Sequence, residues 1–142
     1  MALTPEESPG FLLWHATLRW QRGIAAALAP LDLTHPQFVL LAGLWWLDQQ
    51  GGRPNQLELA QYTGTEVKTA SQVLRRLEAK EFLTRQVDAT DTRMKRLAIT
   101  ASGVAVAVRA VAVVEQADAE FFAAAPDRAA VLDVLRPLAW PR

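Results

Sequence analysis

Lys68, Arg75 and Arg76, followed further along by Arg93 and Lys95, are the side chains whose type and spacing best suit a chemical task, and that task is gripping phosphate. They belong to a window, residues 65–100, that also holds Lys80, Arg85 and Arg96. Eight cations there face five acids, Glu66, Glu78, Glu81, Asp88 and Asp91. The remaining chain holds seven cations and ten acids, so a basic segment sits on an acidic remainder while the net charge is zero. Overall neutrality runs against a nucleic-acid partner, whereas the local concentration of positive charge favours one.

Other chemistries find no support. There is no Gly-x-Ser-x-Gly, no phosphate-cradling glycine loop and no His-Glu-x-x-His, so no catalytic residues are assigned. The carboxylates are scattered and mostly flank helix caps. Two histidines, His15 and His35, without any cysteine make a metal site unexpected. The absence of cysteine also removes disulfides and thiol-based sensing. No cofactor is expected.

The elements that must carry the basic residues can be read from caps and periods. The chain has 142 residues, 51% hydrophobic and 21% charged, which fits one globular domain over residues 1–142. Met1 to Gly10 lacks Lys and Arg and carries Glu6 and Glu7, unlike a secretory signal. No apolar run reaches the roughly 18 residues of a membrane span. A soluble cytoplasmic chain without membrane association is the expectation.

Ser8-Pro9 opens a first helix with the stripe Leu13, Thr17, Trp20, Ile24, Ala27 and Leu28, and Pro30 ends it. Thr34-His35-Pro36-Gln37 is a capping box opening a second helix, Phe38 to Gln49, apolar on nearly all faces and therefore central. Asn55 and Glu58 repeat the box for a short third helix that Gly64 closes. A fourth helix runs from about Glu66 to Lys80, with Val67, Ala70, Val73, Leu74 and Leu77 on its buried stripe. Lys68, Gln72, Arg75, Arg76 and Ala79 fall on the opposite face.

The period then shortens. Phe82 to Val87 and Lys95 to Ile99 read as strands around an exposed loop, Asp88 to Met94. Thr100 caps a long Ala- and Val-rich helix reaching about Phe122, and a last helix spans about Asp127 to Leu138. The first and the last two helices are too apolar for so small a chain to cover, which points to a partner subunit. The fold class is mainly α with a small β-hairpin.

Two short helices joined by a tight glycine turn, the second basic on its outer face, form the helix-turn-helix pattern. Such a helix fits the major groove of duplex DNA, its basic side chains reaching phosphates and its short polar ones base edges. A plain solvated face would carry the same charges. The hairpin sharpens the reading, because Arg93, flanked by Arg85, Lys95 and Arg96, suits the narrow minor groove beside such a helix.

At this level the sequence resembles the MarR family. Leu33-Thr34-His35-Pro36-Gln37-Phe38-Val39-Leu40-Leu41 resembles that family's second-helix opening. Leu59-Ala60 and Gly64 sit where it has Leu-Ala and Gly, and Arg76-Leu77-Glu78 matches the end of its recognition helix. Asp88-Ala-Thr-Asp91-Thr-Arg93, followed by Leu97-Ala-Ile-Thr100-Ala-Ser-Gly103, resembles its wing and the start of the next helix. The likeness covers residues 33–103. It implies a winged helix-turn-helix lobe over 33–100, flanked by dimerisation helices at 8–30 and 101–140. It further implies a homodimer on palindromic double-stranded DNA, transcription regulation of the repressor kind, and release by a small aromatic or anionic effector.

Carried over by position, Lys68, Thr69 and Gln72 read the groove, Arg93 is the wing-tip arginine, and Asp91 orients it through a charge-assisted hydrogen bond. Three positions depart from the family. Gln72 stands where Arg is frequent, which weakens phosphate binding and keeps a bidentate adenine reader. Thr92 replaces a wing Arg. Glu81 stands at a helix-ending Gly, where a side chain at positive φ costs about 1 kcal/mol. The family's effector cleft borders the first two helices, which carry Trp14, Trp20, Trp45 and Trp46. Trp14, His15 and Trp45 are the candidate ligand contacts, with core packing as the alternative for each Trp. The competing functions are a winged-helix module that binds protein and a small-ligand carrier that has lost DNA binding.

Overall fold

A computed structural model describes residues 3–141. The ends of the expected 1–142 domain, Met1, Ala2 and Arg142, lie outside the described residues. After a 3-10 turn at Pro5–Glu7, the order is α1 (Pro9–Leu28), α2 (His35–Gln49), α3 (Gln56–Thr63), α4 (Val67–Ala79), β1 (Leu83–Val87), β2 (Lys95–Ile99), α5 (Ala101–Phe122) and α6 (Arg128–Ala139). Caps set most of these starts. Ser8 accepts from the Phe11 amide, Thr34 and Gln37 form a reciprocal box, Thr100 accepts from the Gly103 amide, and Asp127 accepts from the Ala129 amide. Each device satisfies amides that the first helical turn would otherwise leave without partners.

α2 lies at the centre of the core. Its Leu40, Leu41 and Leu44 are buried together with Ile24 and Leu28 of α1, Leu59 of α3, Leu74 and Leu77 of α4, Leu83 and Leu97 of the strands, and Ala107 and Ala110 of α5. β1 and β2 form an antiparallel hairpin with Leu83 opposite Ile99 and Val87 opposite Lys95. One side of its root closes on the core through Leu83 and Leu97.

The two terminal segments behave differently. Only Ile24 and Leu28 of α1 are buried, and no residue of α6 is. Phe11, Leu12, Leu13 and Trp14 on α1, and Val134, Leu135 and Leu138 on α6, are exposed. Trp140, just past α6, is 76% exposed. The expected inward stripe of the first helix therefore holds only in its second half. No single described helix is long and apolar enough to cross a membrane.

A long-range side-chain hydrogen bond adds to the packing of α1 on α5. The Trp20 ring N–H donates to Asp118 Oδ1 at 2.8 Å, linking α1 to α5, and His35 at the start of α2 packs edge-on against the Trp20 ring at 5.1 Å. Burial pushes the His35 imidazole below its ordinary value of 6.5, and the Asp118 carboxylate opposes this. A base depressed in the folded state leaves stability intact above pH 6.5 and removes it as the pH falls through the lower folded value. Chemical denaturation between pH 7 and 5 is thus expected to show a declining midpoint, and His35→Gln to flatten that decline. An equal slope in both proteins would show that other groups carry it.

Candidate nucleic-acid interface

α3 and α4 are set at their turn by short-range chemistry. The Glu58 amide donates to Asn55 Oδ1 at 2.8 Å, and Glu58 Oε1 accepts from the Asn55 amide at 3.1 Å. Gly64 closes α3 at φ +69, where a residue without Cβ meets no penalty. The Thr65 amide then returns to the Ala60 carbonyl at 2.9 Å, which fixes the direction in which α4 leaves.

α4 is strongly two-sided. Ala70, Leu74 and Leu77 are buried, while Lys68, Gln72, Arg75, Arg76 and Ala79 are exposed, as the periodicity requires. Thr69 is half-buried at the edge of that face. Val67 departs from expectation. Placed on the buried stripe by spacing, it is 47% exposed: it is the first helical residue, and burial on α4 begins only at Ala70.

The hairpin tip is built from two successive aspartates. Asp88 Oδ1 accepts from the Thr90 amide and hydroxyl, both at 2.8 Å, and from the Asp91 amide at 3.2 Å. Asp91 Oδ1 accepts from the Arg93 amide at 3.1 Å and from Arg93 Nε at 3.3 Å. The Arg93 side chain remains 92% exposed, so Asp91 pairs with it without covering it. The hydrogen bond expected between Asp91 and Arg93 is formed.

Cations that look alike in sequence divide sharply in space. Arg85 and Arg96, expected to flank Arg93 on the basic surface, are turned inward. Arg85 donates to Gln56 Oε1 at 3.1 Å and pairs with Glu78 at 3.4 Å, rooting β1 beside α3 and α4. Arg96 pairs with Asp88 and Glu58, each at 2.6 Å. Lys80 closes on the α1–α2 turn, donating to the Asp32 carbonyl and, at 3.3 Å, to Oε1 of the buried Gln37. Lys68, Arg76 and Lys95 have no side-chain partner among the described residues, and Arg75 reaches only Ser71 Oγ at 3.5 Å. Five cations thus stay on the surface of α4 and the hairpin, and three are spent on the frame.

Asp88 is held far below the usual carboxylate range, chiefly by the Thr90 amide and next by Arg96, while Arg96 is raised by Asp88. The departure at Glu81 is accommodated directly. Glu81 takes φ +64, and its carbonyl accepts from Thr100 Oγ1 at 2.6 Å and Ser102 Oγ at 3.0 Å.

The candidate ligand contacts are not gathered. A cleft of about 770 Å³ between α1, α5 and α6 is walled by Trp20, Asp118, Phe122, Arg128 and Leu132. A second, of about 620 Å³, lies between the α1–α2 turn and the end of α4, beside Leu33, Gln37, Arg76 and Lys80. Trp14, His15 and Trp45 line neither. Trp14 and His15 sit on the exposed start of α1, with His15 edge-on to Phe11 at 4.6 Å, and Trp45 packs half-buried on the core. Trp20 lines the first of these clefts. Its selection depends on Asp118, 98 residues away, which no local pattern announces.

A model of the MarR family matches residues 33–95. The helix-turn-helix transcriptional regulator YdcH of Bacillus subtilis is 41% identical over 134 residues, covering 94% of this chain and 91% of that protein. The transcriptional repressor Rv2887 of Mycobacterium tuberculosis is 35% identical over 123 residues, 87% of this chain and 86% of its own. A structure of Rv2887 in complex with salicylic acid superposes with a TM-score of 0.72 at 33% identity, covering 92% of this chain and 96% of that one. The repressor CouR bound to a 23-mer DNA duplex superposes at 0.85 with 26% identity, covering 99% and 100%. Identity of this extent along nearly the whole chain, joined to the same helix-turn-helix and wing, places this protein in the MarR family of winged-helix transcription regulators.

Proposed function

We propose that the protein is a homodimeric repressor that binds a palindromic operator in double-stranded DNA and is released by a small aromatic or anionic effector. The observation that carries the DNA reading is the division of cations. Those of the frame are drawn onto carboxylates, and those on the outer face of α4 and on the wing stay exposed to solvent, Arg93 even while it pairs with Asp91. Solvent-exposed cations on these two adjoining elements supply the phosphate contacts from which duplex affinity comes.

In this reading Lys68, Thr69 and Gln72 face base edges, Arg75, Arg76 and Lys95 hold phosphates, and Arg93, aimed by Asp91, enters the minor groove. The exposed apolar residues of α1 and α6 are covered by the second subunit. Its two-fold axis sets the recognition helices about 34 Å apart, in successive major grooves. The CouR–DNA complex supports the duplex as partner, and the salicylic acid complex of Rv2887 supports the effector class. The effector site is assigned to the cleft beside Trp20, where an indole and Phe122 offer stacking and Arg128 a positive charge. The protein works by binding rather than catalysis, in the cytoplasm, without cofactor, metal or membrane.

Selection of bound sequences from random duplexes, followed by titration at several salt concentrations, tests the proposal. A palindromic consensus and a steep loss of affinity with salt are expected, and binding indifferent to both would refute it. Gln72→Ala is expected to relax discrimination at one base pair per half-site by about 1–3 kcal/mol, with little change on random duplex. An equal loss on cognate and random DNA would make Gln72 a backbone contact.

A further inference from the structure

We propose that Arg96 is a positioning residue: a guanidinium clamp that locks the wing to the start of α3 and so fixes where Arg93 meets DNA. The inference rests on the DNA-binding reading above. It inverts the sequence expectation, in which Arg96 was one more cation offered to the nucleic acid.

The geometry is that of a bridge. Arg96 Nε donates to Asp88 Oδ2 at 2.6 Å, and Nη1 donates to Glu58 Oε1 at 2.6 Å and to the Arg53 carbonyl at 3.3 Å. Each carboxylate already shapes its own element. The other oxygen of Asp88 folds the hairpin tip through Thr90 and Asp91. Glu58 Oε1 also closes the capping box of α3 on the Asn55 amide. One side chain therefore ties the turn that presents Arg93 to the cap that starts the helix-turn-helix. A planar guanidinium can span two carboxylates in this way, and a lysine ammonium, a point donor, cannot hold the same fork.

The position along the hairpin matters as much as the contacts. Arg96 stands opposite Gln86, and only the Val87–Lys95 pair lies beyond it before the tip. Below it the hairpin is held by the Leu97 amide on the Pro54 carbonyl and by Arg85. Beyond it the side-chain hydrogen bond to the body, among the described residues, is that of the Asn55 amide on Met94 Sδ at 3.4 Å, a weak acceptor. A two-stranded ribbon has little stability of its own, so the outer wing depends on this clamp. The strongly depressed Asp88 carboxyl keeps the clamp ionised across the physiological range.

The test pairs a cycle of variants with amide hydrogen exchange on the free, full-length protein. Arg96→Ala is expected to weaken binding of the selected duplex about ten-fold and to add almost nothing once Arg93→Ala is present. Exchange at residues 88–94 should quicken in Arg96→Ala while that of α2 and α5 is unchanged. Glu58→Gln keeps the capping box, and Asp88→Asn keeps an acceptor for Thr90. Each should reproduce the exchange effect in a folded protein, whatever becomes of Arg96→Ala. Arg96→Lys should not restore the wild-type exchange rate. Additive losses for Arg96→Ala and Arg93→Ala, or unaltered exchange in the wing, overturn the clamp. A wild-type protein that shifts no duplex overturns the DNA reading instead, and the exchange comparison still decides the clamp.

Discussion

Gly103→Val is expected to lower the stability of the protein by about 3 kcal/mol or more, the largest effect of any single small substitution foreseen for it. Gly103 is buried in the first turn of α5, where that helix crosses the turn between α4 and β1. A Cβ at this position would lie 2.0 Å from the Phe82 carbonyl oxygen and 2.9 Å from Ile99 Cγ1. The oxygen cannot step aside cheaply. It is backbone, and it accepts from the Thr100 amide at 3.0 Å, the bond that seats α5 on the hairpin root.

Even Gly103→Ala should destabilise. At an ordinary helical position the same change stabilises by about 1 kcal/mol, so the sign of the effect is itself diagnostic. Urea denaturation with an unchanged slope would measure both variants. A midpoint equal to or above wild type for Gly103→Ala would show that α5 does not approach the turn this closely.

The second large effect concerns binding alone. Arg93→Ala is expected to leave the unfolding midpoint where it is, because the side chain is 92% exposed and its pairing with Asp91 is solvent-screened. Its affinity for duplex DNA should nonetheless fall. A charge-assisted contact is worth about 1.5 kcal/mol, and a dimer loses two. The combined loss is about 3 kcal/mol, roughly a hundred-fold. The loss should be similar on cognate and random sequences, and the slope of log affinity against log salt should shrink by about 2. A slope that does not change would place Arg93 away from the duplex. Asp91→Asn should reproduce a fraction of the effect, since the amide retains an oxygen for the Arg93 backbone and loses the charge that aims the guanidinium.

Much of this protein was legible as local chemistry. Ser8, the Thr34–Gln37 box, the Asn55–Glu58 box, Gly64, Thr100 and Asp127 act within a few residues of themselves, and each begins or ends a helix where spacing put it. The wing aspartates and the positive φ of Glu81 belong to the same class of short-range effect. Which cations remain available was not local. Arg85, Arg96 and Lys80 find partners 29, 38 and 43 residues away. A side chain's charge can be read from its type, while its pairing depends on which distant acceptor the packing brings within reach. For the same reason Trp20, fixed by Asp118 across the α1–α5 contact, faces a cleft that Trp14, His15 and Trp45 do not line. The primary structure by itself determined the helices, the hairpin and the basic character of residues 65–100. Tertiary packing decided that three of those eight cations hold the frame and five face outward, because ion pairing is a property of positions in space.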